Sequence, residues 1–519
     1  MKRLAIDLTP LLPGGDNGGA KPLAIELVRR LSAARPACEL VLLTNEKSDA
    51  ELSVLDAPNV RRLCVTRPEN APTISHRRAL EIRALLVRVL PEAAVRRIGE
   101  WYAGRADAPP PATPLLRQIG AEVLFCPFTG ALFYDPSVPL VSLVHDLQYL
   151  YYPEFFDPAD RAERDRHFRQ VCRVAARVVC VSEFTRASVL EHSDLPAGRV
   201  IAIQSAPQRR LRLPEERVQG RYLLYPANFW RHKNHEMLLI AFGMYRAAHP
   251  QSDLKLVLTG APSPRREELR EAARRMGLED RVVFPGYLPD IDFAALLAGC
   301  RAMIFPSIFE GFGMPVLEAM AAGVPVLASD RTSLPEIAGD AALLFDPRRP
   351  DAIVEAIERL EGDPAVRAGL IERGLRRAAE FQTPDQWAAR YWEVFDDALQ
   401  RPVERAAGIY GVYADSWTAD RITVVFGAGS APRRLAVKLL APQWLPSKAI
   451  DIRTPAAQVR IPRGQRQTIT LDLPAEAGAI ELLCSPIFRP GGEDHRELGC
   501  ILEAAEIEGT PLPREMHAA

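Results

Sequence analysis

The stretch Phe305-Pro306-Ser307-Ile308-Phe309-Glu310-Gly311-Phe312-Gly313-Met314-Pro315-Val316-Leu317-Glu318-Ala319-Met320 decides how the chain folds. Four apolar residues, 302–305, make a strand that Pro306 ends, because proline has no N–H to give a ladder. A loop with two glycines follows. Pro315 then suits the first turn of a helix, where the missing N–H is no loss. Gly311 and Gly313 let the backbone come close to a ligand. The turn that runs through Phe312, Met314, Val316 and Leu317 carries N–H groups with no intrahelical acceptor, which form an anion site suited to a diphosphate.

Two acids flank that turn. Glu310 lies in the loop before the helix and Glu318 lies one turn inside it. With both facing the crevice at the strand's carboxyl end, they hold two parts of one extended ligand. Carboxylates accept from vicinal hydroxyls, so Glu310 reads as the holder of a sugar and Glu318 as the holder of a ribose. Either acid alone reads as a loop charge or as an acid near a helix N-terminus. The strand, the glycines, the proline and the second acid together carry the functional reading.

Outward from this stretch, short apolar runs alternate with amphipathic helical segments over the first four hundred residues, the pattern of parallel sheets covered by helices. Strands are expected at 4–8, 40–44, 123–126, 140–144 and 178–181, and then at 222–225, 254–259, 282–284, 302–305, 324–328 and 342–345. A break rich in Arg, Pro and Gln at 207–220 reads as the linker between two Rossmann-like domains, 1–212 and 213–383, that face a cleft. A Trp- and Tyr-rich helix at 384–400 is expected to cross back to the first domain. From 401 to 519 the runs are short, at 422–426, 435–440, 449–452, 468–473 and 480–483, with turn residues between them and a helical period only in the last residues. This reads as an all-β sandwich. Trp417 and Trp444 read there either as platforms for sugar rings or as core and edge packing.

The segment 76–97 carries many arginines on a Leu/Val/Ala helical pattern and leads to Ala108-Pro109-Pro110-Pro111. It reads first as a solvated helix face and second as a surface that touches anionic lipid headgroups or an acceptor.

The bulk numbers limit the function classes. A chain of 519 residues is too long for one core. Its formal net charge of −1 argues against nucleic acid as a partner. No apolar run is long enough to span a bilayer, and Met1-Lys2-Arg3-Leu4-Ala5-Ile6-Asp7-Leu8 reads as a first strand rather than a signal peptide. The eight cysteines include no C-x-x-C pair, and Cys64, Cys126, Cys180 and Cys300 sit in apolar stretches. They read as buried thiols of a cytoplasmic protein, either free in the cytoplasm or peripheral at the inner face of the membrane.

The Glu310–Glu318 spacing resembles the E-x7-E signature of family 4 glycosyltransferases. The continuation Ala321-Ala322-Gly323-Val324-Pro325-Val326, Ser333-Leu334-Pro335-Glu336-Ile337 and Phe345-Asp346-Pro347 is similar to that family in order and spacing. The likeness covers roughly residues 1–400. It implies the GT-B fold, in which the first acid contacts the donor sugar and the second the nucleotide ribose. It also implies transfer with retention, no cofactor and no catalytic metal.

The loop Tyr225-Pro226-Ala227-Asn228-Phe229-Trp230-Arg231-His232-Lys233-Asn234-His235 departs from the family, with Ala227-Asn228 where many members carry Gly-Arg. Lys233 fits the family lysine, and Arg231 replaces the missing positive charge. A departing diphosphate gains negative charge in the transition state, so these cations are assigned to it, and Asn228 to the donor. Val144-His145-Asp146-Leu147 resembles the family's His-Asp step. There His145 would hydrogen-bond the donor sugar or the acceptor, and Asp146 would orient the imidazole or cap the next segment. Gly18 and Gly19, in Pro13-Gly14-Gly15-Asp16-Asn17-Gly18-Gly19-Ala20-Lys21, match a glycine pair of the family, and Lys21 would add charge near the diphosphate. Ser182 and Thr185 read as a helix start only.

The expected reaction is transfer of a hexose, mannose from GDP foremost, from a nucleotide sugar to a glycan or lipid-linked acceptor. The rivals are a GT-B sugar-nucleotide epimerase and a carbohydrate-binding scaffold that acts through residues 401–519.

Overall fold

A computed structural model of the chain describes residues 1–13, 18–65, 115–135, 137–207, 220–400, 408–413, 416–426, 429, 431–475, 478–488, 498–512 and 514–517. The arginine-rich segment at 76–97, the proline run at 109–111, most of the linker and residues 14–17 of the glycine loop lie outside the described residues.

The first sheet contains β1 (Arg3–Asp7), β2 (Glu39–Thr44), β3 (Val60–Cys64), β4 (Val123–Cys126), β5 (Leu140–Val144), β6 (Ala175–Cys180) and β7 (Val200–Ala202). Its strands are parallel in the order β3-β2-β1-β4-β5-β6-β7. The second contains β8 (Tyr222–Pro226), β9 (Lys255–Thr259), β10 (Val282–Gly286), β11 (Ala302–Phe305), β12 (Val326–Ser329) and β13 (Ala342–Phe345), parallel in the order β10-β9-β8-β11-β12-β13. Each sheet reverses its winding once, at β1/β4 and at β8/β11. Beyond the carboxyl ends of the strands at such a reversal, the departing loops leave a crevice. The loop that decides the reading, 306–313, leaves β11, and the basic loop 227–234 leaves β8, so one crevice receives both.

Alternation in the sequence locates all six strands of the second sheet but misses β3 and β7 of the first. Both are edge strands. β3 reads VRRLC, with two arginines where a central strand needs apolar residues, and β7 has 3 residues. The same edge position explains Cys64, which is exposed rather than buried as expected.

The helix Pro384–Gln400 returns to the first sheet. Tyr391 and Phe395 lie 5.7 Å and 5.1 Å from the ring of Phe125 on β4. Trp392 Nε1 donates to the Leu31 carbonyl at 3.3 Å, and the Arg35 guanidinium bonds Asp396 at 2.9 Å and lies over the Trp392 ring. Each such aromatic removes enough apolar surface to contribute about 1.5–3 kcal/mol, so this helix holds the end of the second domain against the first. Among the described residues, no helix is long and apolar enough to cross a membrane.

The C-terminal part is all-β. It contains β14 (Gly408–Tyr413), β15 (Thr418–Phe426), β16 (Arg433–Leu440), β17 (Ala449–Arg453), β18 (Gln458–Pro462), β19 (Arg466–Leu473), β20 (Gly478–Ser485), β21 (Ile501–Ile507), β22 (Thr510–Pro511) and β23 (Arg514–His517). They form two sheets, β18-β17-β20-β15-β14-β23 and β19-β16-β21-β22, over a shared core that includes Ile422, Val437, Ile450 and Leu482. The helical period at the end of the sequence is in fact β21. Leu439 pairs with Leu502 and Lys438 with Ala504, so one residue is bulged, and Leu502 and Ala505 both turn inward three positions apart. A bulge thereby imitates helical spacing. Trp417 is 7% exposed and packs in this core, which removes it as a sugar platform, whereas Trp444 is 63% exposed and leans on it at 5.2 Å between ring centres.

Candidate active site

The helix Met314–Ala321 starts at Gly313, whose φ of 103° is a left-handed conformation that favours glycine. Val316, Leu317, Ala319 and Met320 are buried and fix the helix to its sheet. The N–H groups of Val316 and Leu317 turn back to the Gly313 carbonyl, at 3.0 and 3.4 Å. Pro315 has no N–H, so the turn offers an anion the N–H groups of Gly313 and Met314. Glu318 is half-buried on this helix.

Glu310 meets Lys233. The amine Nζ donates to Glu310 Oε1 at 2.6 Å, with the two side chains 13% and 12% exposed. The Lys233 amine also lies 5.7 Å from the ring centre of Phe305. Both backbones are held from below. The buried Tyr225 hydroxyl donates to the Lys233 carbonyl at 2.7 Å and lies 3.0 Å from Ser307 Oγ. Burial, with Glu310 nearby, pushes that phenol well above its ordinary pKa. Thr332 Oγ1 accepts from the Glu310 N–H at 3.0 Å, and Ser333 Oγ lies 2.9 Å from the Glu310 carbonyl. Thr332 has φ 56°, an unfavourable backbone for a β-branched residue, held where it positions the acid. Asn234, at φ 61°, donates to the carbonyls of Pro306 and Pro347 at 3.1 and 2.7 Å and so ties the two loops together.

The first domain closes over this loop at Gly311. A Cβ there would lie 1.9 Å from the His145 carbonyl oxygen and 3.2 Å from Asp146 Cβ. The Gly311 carbonyl lies 2.6 Å from Ser182 Oγ and 3.1 Å from Thr185 Oγ1. Ser182 does cap its helix, accepting from the Thr185 N–H at 3.0 Å, and it reaches across the cleft as well. A second bond set lies beside it, where the Glu336 carboxylate accepts from the N–H groups of Glu183 and Phe184 at 2.9 and 3.0 Å. Gly18 packs against Trp230 of the basic loop.

His145 and Asp146 are half-buried at the mouth of β5. His145 Nε2 lies 2.8 Å from the Pro127 carbonyl, so it carries the proton of the neutral ring and leaves Nδ1 for a ligand. Burial holds this imidazole below the ordinary histidine pKa, against the Pro127 carbonyl and Asp146, which both favour the charged form. The imidazole is therefore oriented by a backbone carbonyl rather than by Asp146. That carboxylate instead accepts from the Gln148 N–H at 3.0 Å and caps the next segment. Asn228 Oδ1 accepts from the Ala261 N–H at 3.0 Å, which joins neighbouring loops. Arg231 is exposed and has no ion pair among the described residues. Lys21, expected to add charge near the diphosphate, bonds Glu51 at 2.7 Å and the Leu12 carbonyl at 2.9 Å, and so braces the first domain.

Sequence reasoning gave no role to Tyr225, Ser307, Thr332, Ser333 or Glu336. Tyr225, Thr332, Ser333 and Glu336 act on backbone groups of Lys233, of the Glu310 loop or of the opposing domain, and Ser307 meets the Tyr225 hydroxyl, contacts that leave no signature in spacing. Glu310, Gly311, His145 and Lys233 are brought together, and Gly18 meets the basic loop.

Two Rossmann units that close on an acid–lysine pair beside a helix N-terminus define a GT-B glycosyltransferase. The comparisons agree. Residues 17–205 match the glycosyltransferase family 4 domain and residues 211–377 the domain of glycosyl transferases group 1. The chain is 33% identical to the O-antigen chain mannosyltransferase B of Escherichia coli over 273 residues, which is 49% of this chain and 70% of that protein. It is 30% identical to the serotype-specific mannosyltransferase WbdA of Escherichia coli over 302 residues, 55% of this chain but only 35% of that protein. The chain belongs to glycosyltransferase family 4. Sucrose-phosphate synthase from Thermosynechococcus elongatus superposes with a TM-score of 0.57 at 19% identity, covering 77% of this chain and 100% of that one. Anabaena HepE, solved with UDP and glucose, superposes with a TM-score of 0.56 at 18% identity, covering 76% and 99%. At such identities the structures show the fold alone.

One histidine of the site gives a pH prediction. His235 is fully buried between the rings of Tyr225 and Phe229, at 4.8 and 4.9 Å, and neither ring nitrogen has a hydrogen-bond partner among the described residues. Burial, then Lys233 and Arg265, pushes its pKa down to about 3. Unfolded, it titrates near 6.5. Between these values the unfolded chain binds a proton that the folded chain refuses, so stability falls as the pH drops below about 6.5. At pH 5 the loss from this group is about 2 kcal/mol. The His235→Phe variant should show a flatter melting temperature between pH 6.5 and 5 than the parent. Equal slopes in both proteins would place the proton uptake elsewhere.

Proposed function

We propose that the chain transfers a hexose, mannose from GDP-mannose foremost, with retention and without a metal, to a glycan or lipid-linked acceptor in cytoplasmic polysaccharide assembly. The observation that carries this is the Lys233–Glu310 pair at 2.6 Å, at the winding reversal of the second sheet, with the next residue, Gly311, against the His145 backbone of the first domain. Glu310 receives hydroxyls of the transferred sugar, and Glu318 the ribose. Arg231, Lys233 and the N–H groups of Gly313 and Met314 face the diphosphate, where negative charge grows as the bond to the sugar breaks. In this reading His145 Nδ1, left free by the Nε2 contact to the Pro127 carbonyl, bonds the sugar. The departing phosphate takes the acceptor's proton on the same face, which retains the anomeric configuration. The mannosyltransferase relatives support the sugar and the setting. Both relatives are mannosyltransferases by name, which supports transfer over epimerisation.

A melting screen against GDP, UDP and ADP tests the donor site. GDP at 100 times its Kd should stabilise the folded chain by about 2.7 kcal/mol, and Glu318→Ala should cut that shift. Proton NMR of the product should show the donor's anomeric configuration. A shift with UDP alone would reassign the base, and no shift with any nucleotide would remove the donor site from this crevice.

A further inference from the structure

A cavity of about 360 Å³ lies beside the Glu310 loop, lined by Tyr151, Tyr152, Ile308 and Arg348. Its volume falls within the range of small-molecule sites, about 300–1,000 Å³. None of these four residues is among those assigned to the donor above. The proposed donor contacts, Glu310 and Glu318, lie on the helix side of the loop, whereas the cavity wall is Ile308, on the other side of Glu310 in the chain. Between them stands Phe309, 3% exposed, which carries this side of the loop into the first domain. Its ring lies 5.3 Å from Tyr151, 6.0 Å from Tyr152 and 5.6 Å from Phe184.

The tyrosines form a rigid wall. The Tyr151 hydroxyl is already used, 2.8 Å from Ser188 Oγ and 3.1 Å from Glu191, so that residue offers the cavity its ring. Tyr152 stacks on Phe155 with rings 5.3 Å apart and 3° from parallel. Arg348 is exposed, and its backbone is pinned. Its N–H donates to Asp346 Oδ1 at 3.0 Å, and the carbonyl of the preceding Pro347 accepts from Asn234, the residue after Lys233. An apolar ring wall with a guanidinium at its edge suits a molecule with one C–H face and a rim of hydroxyls, which is a pyranose.

We propose that this cavity is the acceptor subsite, and that it takes the terminal sugar of a neutral oligosaccharide. The pyranose lies with its C–H face on the Tyr151 and Tyr152 wall while Arg348 and the Tyr152 hydroxyl bond its rim. Its reacting hydroxyl thereby points past Phe309 to the sugar held by Glu310. This rests on the transfer reaction proposed above and names the partner of that site.

The test uses the full chain with GDP-mannose as donor and mannotriose as acceptor. Tyr152→Ala and Arg348→Ala should each raise the acceptor KM by about tenfold, which is about 1.4 kcal/mol, while the donor KM and the GDP-induced melting shift stay within about twofold of the parent. Tyr152→Phe keeps the ring and should recover most of the loss. An unchanged acceptor KM, or a donor KM that rises in step with it, overturns the assignment. Failure of the transfer reading shows differently, as a parent protein that releases no GDP with this acceptor. Saturation-transfer NMR of mannotriose, without donor, then decides: signal lost in Tyr152→Ala supports the subsite, and equal signal in both proteins overturns it.

Discussion

Gly311→Ala should leave both Rossmann units folded and lower turnover by about 100-fold, the penalty for a reacting group misplaced by about 1 Å. The added Cβ would lie 1.9 Å from the His145 carbonyl oxygen and 2.9 Å from its carbon. These are backbone atoms of a strand end and cannot rotate away as a side-chain tip would. Relief must come from separating the two domains, because the Gly311 side is held equally firmly by Ser333, which lies 2.9 Å from the Glu310 carbonyl and 2.8 Å from that of Phe312. Separation also lengthens the contacts of Ser182 and Thr185 to the Gly311 carbonyl and carries His145 away from the Glu310 loop where the sugar is proposed to lie. Overpacking of this kind costs about 1–3 kcal/mol, so the melting temperature should drop modestly while the rate collapses. Small-angle scattering should show a wider particle than the parent. A variant with parental turnover and an unchanged scattering curve would mean that the domains do not meet at Gly311 during the reaction.

Much of this site is legible in the sequence, for a physical reason. Glu310, Glu318, the two glycines and Pro315 sit on one continuous turn, so local spacing fixes their relation. His145 and Lys233 are legible because each follows a buried strand whose apolar run is plain, and parallel strands bring their carboxyl ends to one edge. The clamp on Glu310 is another matter. Thr332 and Ser333 act through a backbone N–H and a carbonyl 22 and 23 residues away, and hydroxyl residues are common in loops. The closure bonds of Glu336 depend on how two domains meet, which no periodicity inside either domain encodes. Lys21 misleads for the same reason. Its place after the glycine pair suggests a phosphate ligand, but Glu51, thirty residues on, lies within reach of its amine and takes it. In the β-domain the misreading is local, since the bulge in β21 gives Leu502 and Ala505 a helical spacing.

Glu310→Ala should both lower the melting temperature by several degrees and reduce turnover by about 100- to 1,000-fold, the range found when one preorganised polar partner of a reacting centre is removed. The two effects have different causes, and a second substitution separates them. In the closed cleft Lys233 and Glu310 are 13% and 12% exposed and pair at 2.6 Å, so removing the acid leaves an ammonium largely out of water. Breaking such a pair costs up to about 3–5 kcal/mol. The Phe305 ring, 5.7 Å from the amine, offsets only part of that. Lys233→Met added to Glu310→Ala removes the stranded charge and should return most of the melting temperature. It should not return the rate, because in the proposed reaction the sugar still lacks its acceptor of hydroxyl hydrogen bonds and the diphosphate has lost a cation. If turnover recovered together with the melting temperature, the pair would only brace two loops, and the chemistry would belong to His145 and the helix turn instead. Rate and stability are read from the same three proteins, so the pair's structural and catalytic parts can be weighed against each other without reference to any other enzyme.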